Sequence, residues 1–192
     1  MRRTTVMGFM LTIPLFSSAA EAPPPRVEES RAVVRDFMEQ LKGALQQAMQ
    51  EGGPVKAIAV CNEKAPQIAE RMSASSGWDV GRTSLKVRNP SNAPDAWERA
   101  VLESFETRKA EGEPAAGLEH YEVVEQDDQK TFRYMKAIPT GDLCLVCHGE
   151  NLGEPVKARL DALYPQDQAR GFKKGDIRGA FTIVQPLDKQ AP

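Results

Sequence analysis

The segment Cys144-Leu145-Val146-Cys147-His148 sets two thiols two residues apart, with an imidazole directly behind the second. Three kinds of chemistry use such a set. Thiols at this spacing can add across the two vinyl groups of a haem, while the adjoining histidine reaches the iron from the same side. A CxxC pair can instead cycle between dithiol and disulfide, which asks for a strand leading into the pair and a helix starting there. Here Pro139-Thr140-Gly141 precedes the motif and Gly149 follows it, so a loop is expected. Third, Cys61, Cys144, Cys147 and His148 make a Cys3His set of the kind that holds structural zinc. Structural zinc cysteines more often come as two close pairs, and Cys61 has no such neighbour. Covalent haem is the leading reading, with Cys144 and Cys147 as anchors and His148 as an axial ligand.

A closed haem site wants a second axial ligand, and the residues leave the choice open. Met38, Met49, Met72 and Met135 offer the thioether commonly paired with histidine. Cys61, on the apolar line of a helical stretch, offers a softer sulfur, although a free cysteine there also serves as a small core residue. His120 sits in an expected strand beside Glu119 and Glu122, which suits a surface or hydrogen-bonded role better.

The elements that must position these groups follow from periodicity. Val34, Phe37, Met38, Leu41, Leu45 and Met49 recur at helical steps within Val27 to Gln50, and Gly52-Gly53-Pro54 stops the pattern. A second helical line runs through Ile58, Cys61, Ala65, Ile68 and Met72, with Pro66 expected to bend it. Thr83 to Arg88 reads as extended, Pro94 to Arg108 as a helix and Pro155 to Leu163 as a short one. Tyr121 to Val124 and Lys130 to Ile138 form an expected hairpin, and Asp176 to Val184 a closing strand. Helices first and antiparallel strands later make the fold class α+β.

The chain has 192 residues, 41% of them apolar, enough for one domain with a real core. Its 25 basic against 27 acidic residues remove the electrostatic case for nucleic-acid binding. Arg2 and Arg3, the apolar run Val6 to Phe16 and the small residues from Ser17 to Ala22 read as a secretory signal peptide. The expected organisation is a leader over residues 1–22, a proline spacer over 23–26 and one haem domain over 27–188. A periplasmic location follows, with no stable membrane span once the leader is removed. No Ser/His/Asp set or carboxylate pair is forced by spacing, so no enzyme activity is expected.

Several segments together resemble the single-haem c-type family with a PAS-like domain, long catalogued as a domain of unknown function. They are Ala57 to Asn62, Arg82 to Pro90 with Asn92 and Pro94-Asp95, Cys144 to Gly149, Tyr164 to Gly171 and Gly175 to Ala180. The resemblance implies a PAS-like antiparallel sheet with long N-terminal helices and one covalent haem c. It also implies that Cys61 is the second axial ligand, opposite His148. Arg82, Lys86, Arg88 and Arg133 are the basic residues offered to the haem propionates, since cationic forks match carboxylates. The expected role is redox or small-ligand sensing, with CO or NO as candidate ligands and a redox or signalling partner. Low-potential electron transfer is the alternative, and a non-haem Cys3His zinc domain the alternative from another class.

Overall fold

The computed structural model describes residues 24–126 and 129–187, so the leader expected over 1–22 lies outside the described residues. Helix α1 (Pro25–Ala59) passes through a π-helical turn (Val60–Lys64) into α2 (Ala65–Ser76). Then come β1 (Asp79–Thr83), α3 (Ala96–Ala110), β2 (Glu119–Gln126) and β3 (Gln129–Pro139). Two short helices, α4 (Asp142–His148) and α5 (Glu154–Leu163), precede β4 (Ile177–Pro186). The stiff spacer is shorter than expected. Pro24 is extended, but Pro25 already opens α1, where its missing N–H costs nothing.

The first helix is two helices joined at a turn. Gly52 and Gly53 carry non-helical dihedrals, and Gly53 sits at φ 68°, where other residues are strained. The second run packs back along the first. Ala57 and Val60 join Ala48 in one cluster, while Ile68 and Met72 join Val34 and Phe37 in another. Met38, expected on the buried stripe, is instead exposed.

The α+β reading holds. The four strands pair antiparallel in the order β1-β4-β3-β2. Alternation splits the sheet residues between two cores. Val80, Phe132, Tyr134, Phe181 and Ile183 face the helical hairpin. Met135, Ala137 and Ala180 face Val101, Leu102 and Phe105 of α3. Arg31 of α1 pairs with Glu119, which also accepts from the Tyr134 hydroxyl at 2.9 Å, so the hairpin is tied to the sheet by polar contacts as well.

The extended run lies earlier than expected, as β1, and the chain leaves the sheet at Ser84. The Ser84 hydroxyl is 2.8 Å from the Arg178 carbonyl and 3.0 Å from that of Lys86, a side-chain substitute for the strand ladder. This close approach needs Gly179, because a Cβ there would lie 2.3 Å from the Thr83 carbonyl oxygen.

Candidate functional site

The CxxCH residues form α4, a helix where a loop was expected. Gly141 supplies an extended N-cap, and Asp142 places a carboxylate in the positive first turn. Gly149 ends the helix, and a Cβ there would meet the Leu145 carbonyl oxygen at 2.6 Å. Residues three apart share a helix face, so Cys144 and Cys147 lie on one side of α4.

His148 closes α4, and the chain from Ala169 to Phe172 folds against it. Phe172 N–H donates to the His148 carbonyl at 2.9 Å, and Gly171 N–H to that of Gly149 at 3.1 Å. This brings the Ala169 carbonyl to 2.8 Å from His148 Nδ1. A carbonyl partner assigns the ring proton to Nδ1 and leaves the lone pair on Nε2. Burial, with the charges of Arg178 and Arg88, holds the imidazole pKa well below its usual value. A neutral imidazole pinned through Nδ1 is the form that binds a metal through Nε2.

Arg88 and Asp167 build the frame behind this ring. Arg88 is buried and donates from Nε to Asp167 Oδ1 at 3.0 Å, and from Nη2 to the carbonyls of Cys147 at 2.7 Å and Ala169 at 3.0 Å. Asp167 also accepts from Arg170 Nε at 2.8 Å and from the Ala169 N–H at 2.9 Å. Burial alone would raise the Asp167 pKa, but its bonds to Arg88 and Arg170 outweigh burial and hold it below the usual range. Asp167 therefore contributes stability that is complete above the unfolded value of about 3.9. That contribution is lost as pH falls through the lower folded value. Asp167→Asn is expected to lower stability at pH 7 by about 3–5 kcal/mol, because it strands a buried guanidinium. In urea unfolding the gap between variant and parent narrows below pH of about 4. A gap that is the same at pH 7 and at lower pH would contradict this role.

Cys61 rides on the π-helical turn. Pro66 has no N–H to donate, and the Ala65 N–H bonds back to the Val60 carbonyl, which widens the turn there. Ile58, one helical turn earlier, packs with Leu160, Tyr164 and Cys147. The charge of Cys61 is felt by Cys147, Tyr164, Arg82 and Arg178, so all five groups adjoin one region. Burial, then the neighbouring Cys61, pushes the Cys147 thiol up to about 11. A dithiol exchange centre needs the opposite, a thiol acidified towards neutrality. Among the described residues no three His, Cys, Asp or Glu side chains form a group that could hold a metal ion.

Two cations complete the region. Arg82 lies 5.6 Å from the Phe37 ring centroid, and no carboxylate pairs with it among the described residues. Arg178 donates to Ser84 Oγ at 3.1 Å and has Nε 3.1 Å from His148 Nδ1, again without a carboxylate. Burial, with Arg88 and Arg82 nearby, pushes the Arg178 pKa down to about 10. Two enclosed guanidiniums lacking counter-charges suit a group that brings two carboxylates. Together with paired thiols and a neutral imidazole, they fit a haem and its propionates.

The offered propionate partners divide. Arg82 is in the region. Lys86 is at its rim, with Nζ 4.9 Å from the Phe172 centroid. Arg88 is in the region as well: its Nε and Nη2 are engaged by Asp167 and two carbonyls, while its Nη1 lies 3.4 Å from His148 Nε2. Arg133 lies elsewhere, and that assignment is corrected. It pairs with Asp95 at 2.7 Å and covers Trp97 on the α3 face of the sheet. Arg178 was missed. Its residue type sets nothing apart in the sequence, and the pairing of β4 with β3, the strand that leads into α4, brings it to the ring. The other axial candidates lie elsewhere. Met72 and Met135 are core residues, Met49 packs beside Ala48, and His120 stacks near Trp97 beside Glu122.

The family profile of Tll0287-like proteins matches residues 21–186. No curated protein matches the chain. Among solved structures, the crystal structure of the cyanobacterial heme-protein Tll0287 aligns with a TM-score of 0.68 and 24% identity. The alignment covers 88% of this chain and 100% of that one, a likeness of fold.

Proposed function

The chain belongs to the Tll0287-like family, and we propose that it is a periplasmic c-type haem protein. Cys144 and Cys147 hold one haem through thioethers, and His148 and Cys61 are its axial ligands. The observation that carries this reading is the neutral His148, pinned at Nδ1 and set directly behind two thiols on one helix face. The cyanobacterial relative is itself a heme-protein by its title, which supports the reading. Among the described residues no helix is long and apolar enough to cross a membrane.

A haem held here supplies one-electron chemistry at its iron. His148 keeps its proton on Nδ1 and offers Nε2, with the ring angle set by Ala169 and the Arg88–Asp167 frame. Arg82 and Arg178 neutralise the propionates and in turn gain the counter-charge they lack. Cys61 would offer its sulfur to the iron, and a thiolate ligand would favour the ferric over the ferrous state.

The role we infer is redox or small-ligand sensing, with low-potential electron transfer as the alternative. If Cys61 holds the iron, an added electron beside its sulfur would be costly in a low-dielectric site, and Cys61 would be the ligand to yield in the ferrous protein. The ferrous protein is expected to bind CO in competition with Cys61, seen as a shift of the Soret band on CO addition. No Soret shift at saturating CO would leave electron transfer as the role.

A further inference from the structure

The sheet has two edges, and they are finished differently. At β1 the edge is short and closed: the Val80 N–H donates to Ser73 Oγ of α2 at 3.0 Å, so a side chain takes the place of a neighbouring strand. At β2 the edge is eight residues long, and no strand lies beyond it among the described residues. Its register against β3 runs from Glu119 to Gln126 without a bulge, and it carries no proline or lysine. Bulges, prolines and lysines are the usual devices that keep such an edge from pairing with another chain.

The free main-chain groups of β2 follow residue by residue. The Ala137 N–H donates to the Leu118 carbonyl at 3.0 Å, so residue 118 points its main chain towards β3. Main-chain direction alternates along an antiparallel strand, so Glu119, Tyr121, Val123 and Glu125 point theirs outwards. The Glu119 carbonyl is taken by Arg108 Nη1 at 3.2 Å. The main-chain groups of Tyr121, Val123 and Glu125 have no partner among the described residues. Side chains add an apolar patch, with Tyr121 40% and Val123 55% exposed. Both lie on the face that carries Phe132 and Tyr134, yet the helical hairpin leaves them uncovered.

We propose that β2 pairs antiparallel with β2 of a second copy about a two-fold axis at Val123, which joins two four-stranded sheets into one. In this register the outward groups of Tyr121, Val123 and Glu125 all find partners, with Val123 opposite its own counterpart and Tyr121 opposite Glu125. Glu122 falls opposite Val124, so no two carboxylates face each other. Sliding one strand by two residues sets Glu122 against Glu122, which like charge opposes. Sliding it by four runs the ladder through Glu119, whose carbonyl Arg108 holds, and leaves Glu125 beyond the paired strand. Sliding it the other way carries Tyr121 past the end of β2. The apolar patch matches itself in the favoured register, since Val123 meets Val123 and lies diagonal to Tyr121. A strand that answers its own main-chain groups, charges and apolar surface fits a second copy of this chain. The pairing is separate from the CxxCH region and independent of what binds there.

Analytical ultracentrifugation of the full chain, purified as expressed and run over a range of concentrations, tests this. A reversible dimer is expected. Val123→Lys and Val123→Glu each place like charges opposite one another across the axis and remove apolar contact, and each is expected to weaken the dimer about tenfold or more. An equimolar mixture of the two variants sets lysine against glutamate and is expected to restore the dimer as a mixed pair. Residue 123 is more than half exposed, and circular dichroism matched to the parent shows that the variants are folded. A monomer at every concentration, the result expected if this edge takes an extended segment of another protein, overturns the proposal. So does a dimer that Val123→Lys leaves unchanged, or a mixture of the two variants that stays monomeric.

Discussion

Replacing Cys61 by serine is expected to change the ferric absorption spectrum and to raise the reduction potential. Serine keeps the size of the side chain but exchanges a soft anionic sulfur for a neutral hydroxyl. A thiolate pushes electron density onto ferric iron and so stabilises it, whereas ligands such as methionine raise the potential. The backbone at residue 61 belongs to a π turn fixed by Pro66 and by the Ala65 to Val60 bond, so the substitution leaves the turn in place. Its effect is therefore on ligation and not on folding, and thermal unfolding of the variant should stay near that of the parent. Spectra and potential identical to the parent in both oxidation states would remove Cys61 from the iron.

The double variant Cys144→Ala and Cys147→Ala is expected to lose covalently held haem entirely. Each thiol holds one vinyl position, so either single variant should retain one thioether or emerge without haem. Both cysteines are half-buried, and Cys147 packs against the cluster of Ile58, Val156, Leu160 and Tyr164. Alanine removes one sulfur from that cluster and leaves its apolar contacts, so the polypeptide still folds. Denaturing gel electrophoresis with haem staining separates the outcomes. A haem-stained band from the double variant would show that attachment does not run through these thiols.

How much was legible in the sequence depended on how local the signal was. The break at Gly52-Gly53-Pro54 and the hairpin strands of β2 and β3 are written in short spacings, and the structure places them as expected. The helix α4 was hidden because Gly141 and Gly149 look like loop residues. As end caps of a helix only seven residues long they do the reverse and define it. The extended stretch was placed too late because Thr83 to Arg88 alternates well, while tertiary contacts decide its course. Ser84 bonds to carbonyls, and Arg88 is drawn inside by Asp167, almost eighty residues onward. The same non-locality explains the basic residues. Arg133 and Arg178 are alike as residue types. Their difference comes from a sheet register that puts one beside Asp95 and the other beside His148. Asp167, the buried acid that organises the region, lies in a segment whose composition reads as an ordinary loop.

The most direct measurement is the ultraviolet-visible spectrum of the parent protein, produced in a host with a cytochrome c maturation system and recorded before and after acid–organic extraction. A Soret band that survives extraction, with a pyridine haemochrome spectrum typical of thioether-linked haem at one per chain, is the expected result. A colourless protein from that host, or a Soret band wholly removed by extraction, would contradict covalent haem attachment at Cys144 and Cys147.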